Sequence, residues 1–199
     1  MQTIKVHDLD IEYEISYRNI KYPRLEFKTG NLLLILPKNY KDPEKLIKKH
    51  KNWIYNKISI IKDAIKKAND KNLNLERTEK EFKDLVKSHV KSISDQLNLK
   101  VNRIIFRKMK TKWGSCSPKG NITINTTLKY LPENLIEYVI FHEMAHFIER
   151  KHNKHFWNII SKKFKNYKKL EKDLLIYWFL IQSKNNPDKL SNPHSRTTF

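Results

Sequence analysis

The stretch Leu135–Phe147 limits the possible folds more than any other part of the chain. It is mostly apolar, yet it carries His142, Glu143 and His146. Pro132-Glu133 begins it with helix-start signals, and the helix is expected to run to about Arg150. An apolar helix of this kind reads as buried. Two imidazoles and a carboxylate on a buried helix are costly unless something binds them. Positions i and i+4 of a helix share a face, so His142 and His146 can reach one metal ion. Glu143 follows at an offset of roughly 100°, where it can hydrogen-bond a metal-bound water without being a ligand. The spacing HExxH therefore predicts two metal ligands and a general base.

Two more histidines follow closely, His152 and His155. A third ligand beyond the helix needs a chain reversal, and the polar run Glu149–Asn153 can turn. His152 gives the spacing HExxH-x5-H of three-histidine sites and is preferred. His155 reads as a partly exposed helical residue or a hydrogen-bond donor behind the ligands. His7, His50, His89 and His194 have no partner at ligand spacing. Upstream, Arg107–Ser117 is a basic segment with Trp113 and Cys116. Cys116 could be a fourth ligand or a nucleophile, but a lone cysteine more often packs as a small hydrophobe.

Around this centre the chain reads as mixed strand and helix. Ile11, Tyr13, Ile15 and Tyr17 alternate with Glu12, Glu14 and Ser16, the period of a half-buried strand. Leu25-Glu26-Phe27 and Leu32–Leu36 flank a turn-like Lys28-Thr29-Gly30-Asn31, so an antiparallel sheet is expected. Asp42-Pro43 then begins a single helix to about Ala68. Its isoleucines and Trp53 read as core, and its lysines as a solvated or phosphate-tracking face. Residues 69–77 read as a polar linker. Thr78 and Glu81 have capping-box spacing and start another helix. Strands at 104–106 and 122–124 enclose a loop at 108–121. Helices are expected near 154–164 and 168–182. The organisation expected is strands and a long helix over 1–70, a catalytic domain over 78–184, and a loose tail over 185–199.

Composition removes several classes. The longest apolar runs fall far short of the roughly 20 residues of a membrane helix. The first ten residues hold no secretory apolar segment, and one cysteine excludes an internal disulfide framework. Together these point to a reducing cytoplasm and to no membrane partner. The net charge of +20 points to an anionic partner, with DNA or RNA on a basic surface as one candidate. The cations are 34 Lys against 7 Arg. That mix also fits codon bias, since phosphate readers lean on arginine forks.

Several segments together carry a resemblance. Trp113-Gly114-Ser115-Cys116, Gly120-Asn121-Ile122, His142-Glu143-Met144-Ala145-His146, His152 and Phe156-Trp157 resemble the YgjP-like family of metal-dependent hydrolases. That family is related to SprT-like and WLM zincin-type metallopeptidases. The likeness covers almost the whole chain. One departure is Lys151-His152-Asn153, where the family usually has Asn-His-Ser or Asn-His-Gly; it leaves the ligand in place. The resemblance implies an α+β fold, an N-terminal antiparallel sheet with helices followed by a minimal zincin-like core. It supports His152 as the third ligand, because His155 falls at a variable family position. In zincins an edge strand beside the active-site helix often binds an extended peptide, and Asn121–Asn125 is the expected edge.

The expected activity is zinc-dependent hydrolysis of a peptide or protein. Zinc on His142, His146 and His152 activates water, and Glu143 is the base. Arg107, Lys112 and Tyr138 are candidates to steady the oxyanion. One alternative is a metal-dependent nucleotide phosphohydrolase, since the same water could attack phosphorus between lysine-rich walls. Another is a nucleic-acid binder with a structural metal, though such a site would not need Glu143.

Overall fold

The computed structural model describes residues 2–28 and 31–185. Thr29 and Gly30 of the expected turn, and the expected tail beyond Asn185, lie outside the described residues. The fold is α+β. It forms two compact units, one of residues up to Asn69 together with those from Gln182, the other Asp70–Ile181.

The first unit contains β1 (Gln2–Val6), β2 (Leu9–Arg18), β3 (Arg24–Lys28) and β4 (Asn31–Pro37), in sheet order β1-β2-β4-β3. β1 pairs antiparallel with β2, and β3 with β4. The central pair β2–β4 is parallel, so the sheet is mixed and not the antiparallel one expected. The reason is topological. β3 runs back along the outer edge of β4, which leaves β4 beside β2 in the same direction. Alternation buries Ile11, Tyr13, Leu32, Leu34 and Leu36 on one face, against Leu46, Ile47 and Ile54.

Those last residues belong to two helices, α1 (Pro43–Lys49) and α2 (Lys51–Ala68), where one was expected. Asp42 caps α1 by accepting from the Lys45 amide at 2.9 Å. The break is at His50, whose amide is shared between the carbonyls of Leu46 and Ile47 at 3.2 and 3.0 Å. That three-centre contact tightens the last turn and ends the regular ladder.

The second unit starts with α3 (Glu79–Leu97), closed at its N-terminus by a Thr78–Glu81 capping box. A three-stranded sheet follows, built from β5 (Arg103–Arg107), β6 (Gly114–Cys116) and β7 (Asn121–Asn125). Its order is β5-β7-β6, with β7 parallel to β5 and antiparallel to β6. The expected edge strand, Asn121–Asn125, is therefore the central one. The edges are β5 and β6, the latter a three-residue strand inside what reads as a loop. Sequence order conceals this, because β6 is folded back by the turn Ser117–Gly120, where Gly120 takes φ 75°. The linker before α3 is anchored: the Arg77 guanidinium donates to the carbonyls of Lys129 and Leu131 at 2.9 and 2.7 Å.

Next come α4 (Glu133–Ala145), α5 (Lys154–Lys163) and α6 (Tyr167–Asn185). α4 buries eight side chains, among them Leu135, Ile136, Val139, Ile140 and Met144. It ends at Ala145, not at Arg150. The amides of Ile148 and Glu149 both return to the Ala145 carbonyl, and this turn reverses the chain.

Candidate metal centre

Two elements meet at the centre, the end of α4 and the short strand β6. α4 carries His142 and Glu143, and His146 caps its C-terminus. The turn after it brings His152 back. Glu149 accepts from the Lys151 amide at 3.0 Å, and Asn153 caps α5 by accepting from the Phe156 amide at 3.0 Å. One nitrogen from each of His142, His146 and His152 then lies within 4.8 Å of the others, a group that could hold a metal ion. His142 Nε2 and His152 Nε2 are 3.0 Å apart. His146 Nδ1 faces the Glu149 carbonyl at 3.0 Å. A carbonyl can only accept, so Nδ1 carries the proton and Nε2 keeps a free lone pair.

Phe156 organises these rings. It is fully buried, and the three imidazoles surround it at centroid distances of 5.0, 4.5 and 4.7 Å for His142, His146 and His152. Trp157 stacks on His152, and Tyr167 stacks on Trp157. Burial and the neighbouring His146 and His152 push His142 down to about 3. Burial, then His146, lowers His152 against the opposing pull of Glu171. Both are neutral near pH 7, the form a metal binds.

Glu143 lines the same cleft as the three histidines. Burial lifts its carboxyl to about 7, opposed by Lys112. It packs directly on β6: a Cβ built on Gly114 would stand 2.7 Å from Glu143 Cγ and 3.0 Å from Oε1. Only a residue without a side chain fits there. Among the oxyanion candidates, Lys112 lines the cleft. Arg107 ends β5, at the opposite edge of the sheet from β6. The Tyr138 side chain is fully buried, and its hydroxyl donates to Glu171 Oε1 at 2.8 Å. Cys116 lines the cleft outside the histidine group. Burial and Glu143 raise its thiol, so it is no ready nucleophile. His155 is exposed on α5 and also outside the group.

The YgjP-like, metallopeptidase domain family matches residues 64–176, over half of the chain. The chain belongs to that family. Two metallopeptidase zymogens of known structure are also similar. Pyrococcus abyssi abylysin is 25% identical with a TM-score of 0.42, over 45% of this chain and 91% of abylysin. Methanocaldococcus jannaschii jannalysin is 29% identical with a TM-score of 0.41, over 46% of this chain and 93% of jannalysin. No curated protein matches.

Three residues that support this YgjP-like centre carry no sequence signal of that role. Asn125 is fully buried, with every polar group of its side chain engaged. Its Oδ1 accepts from the amides of Met109 and Thr127, and its Nδ2 donates to the carbonyls of Met109 and Lys112. It thereby fixes the segment that leads into β6. Glu171, besides accepting from Tyr138, lies 3.8 Å from His142 Nδ1. Phe156 stood only within a family motif, with no function attached.

Proposed function

We propose that the chain is a metal-dependent peptidase with zinc as its cation and Glu143 as general base. The observation that carries this reading is the meeting of three imidazoles and a buried carboxylate in one cleft beside a free strand edge. The donor set fits zinc. Three nitrogen ligands leave a fourth position open, as catalytic sites do and structural ones do not. His142, His146 and His152 would hold the ion, which when bound supplies a Lewis acid for the scissile carbonyl and for water. His146 is held in the right tautomer by the Glu149 carbonyl. Glu143, held near 7, takes a proton from the attacking water and delivers it to the leaving nitrogen. Lys112 is the candidate to offset charge on the carbonyl oxygen. Among the described residues the outer edge of β6 has no strand partner, so an extended peptide can add there through its backbone.

Glu143→Gln is expected to keep stoichiometric zinc and lose peptide hydrolysis. His142→Ala is expected to lose the zinc. Full activity in the first variant, or undiminished metal content in the second, would sink the assignment.

A further inference from the structure

The cleft beside the histidines has a volume of about 650 Å³. Its walls carry three cations, Lys100, Lys112 and Arg150, against one carboxylate, Glu143. The chain has 34 lysines, and among the described ones five are neutralised by a neighbouring acid. Lys48, Lys67, Lys83, Lys87 and Lys163 each pair with an acid at 2.8–3.6 Å. Among the described residues, none of the ion pairs includes Lys100, Lys112 or Arg150. Nearby acids do not line the cleft. Glu149 binds the turn after α4, and Glu171 binds Tyr138.

The three cations are spread along the cleft. Lys112 lies two residues before the first residue of β6. Lys100 is at the turn end, its carbonyl 3.5 Å from where a Cβ on Gly120 would stand. Arg150 follows the histidine helix. The field of Arg150 reaches the interior. Burial and Glu143 raise the Cys116 thiol, and Arg150 opposes. A bound divalent cation would add more positive charge. A chain lying along β6 thus passes unpaired cations with no acid to balance them except the general base.

We propose that this cleft selects a polypeptide segment with acidic side chains on both sides of the bond to be cut. The idea of cutting rests on the peptidase reading above; the idea of selection does not. Carboxylates at those positions meet Lys112, Arg150 and Lys100, and the chain's net charge speeds their approach.

The test uses metal-loaded Glu143→Gln protein, which should bind without consuming its ligand. Three fluorescent peptides share one apolar centre and differ only in acidic, neutral or basic flanks. Anisotropy should show the acidic peptide bound about tenfold more tightly than the neutral one, the effect of two partly exposed ion pairs. The basic peptide should bind weakest, and the acidic advantage should shrink in high salt. Adding Lys112→Glu and Arg150→Glu should reverse the order. The milder pair Lys112→Gln and Arg150→Gln should level it, with folding checked by circular dichroism. Affinities within about twofold of each other, or an order unchanged in both double variants, would overturn the proposal. So would a single-stranded oligonucleotide that displaces the acidic peptide at lower concentration, which would make the cleft a nucleic-acid groove. If loaded wild-type protein cuts none of the three but the binding order holds, the peptidase reading fails and the selection stands. If it cuts all three equally well, the selection fails and the peptidase reading stands.

Discussion

At the scale of residues, the centre depends on one missing methyl group. Gly114 lets β6 lie directly on Glu143, and Gly114→Ala would place a carbon 2.7 Å from Glu143 Cγ. The carboxylate must then swing away. Because sub-ångström positioning of a catalytic group matters so much, kcat is expected to fall about a hundredfold, with zinc content and folding unchanged. A variant with near wild-type kcat would mean that Glu143 is not the base. Lys112 gives a second handle. The base works only when deprotonated, so activity should rise with pH through the Glu143 titration. Lys112 pulls that titration down, and Lys112→Ala should therefore move the acidic limb of kcat/KM to higher pH. What was legible in the sequence follows a simple rule of distance. His142 and His146 are one helical turn apart, so spacing singles them out, and spacing together with the family likeness prefers His152 over His155. Asn125, Glu171 and Phe156 act on groups up to 33 residues away in sequence or through ring contacts, and no local pattern encodes those meetings.

At the scale of elements, caps were read with more precision than strand order. Thr78 accepts from the Glu81 amide while Glu81 accepts from the Thr78 amide and hydroxyl, as four residues of sequence imply. Thr78→Ala is expected to lower stability by about 1 kcal/mol in denaturant titration. Hydrogen bonds from Thr78 hold the Glu81 carboxyl below its ordinary value of 4.5. The folded state then binds fewer protons than the unfolded one in acid. The Glu81 contribution is thus present above pH 4.5 and fades as pH falls through the lowered value. Glu81→Gln should differ from wild type near neutrality and converge with it in strong acid. By contrast, β7 reads as an edge and is central, and β2 and β4 read as antiparallel and are parallel. Alternation marks the face of a strand but carries no information about its neighbours. The three residues of β6 are too few for any periodic signal.

At the scale of the whole molecule, the two units separate the chain's tasks. The histidines, Glu143 and the cleft all belong to Asp70–Ile181, and the family match covers most of that unit. On the proposed reading metal would bind the folded centre only, since the unfolded chain scatters the three histidines. A chelator should therefore lower the thermal midpoint, and zinc at about a hundred times its dissociation constant should restore roughly 2.7 kcal/mol. A midpoint indifferent to zinc would argue against the histidine centre. The net charge of +20 first reads as a sign of nucleic acid. If the cleft selects acidic segments as proposed, the charge has a narrower meaning, as the cations that line the cleft.

The hydrogen bonds of Asn125 have a kinetic consequence. The wall that ends in β6 takes its shape from these bonds within the chain itself. The disorder lost in shaping it is lost once, as the polypeptide folds, and not again at each encounter. On the proposed reading, a substrate would meet a wall already shaped, at a lower ordering cost on that side of the cleft.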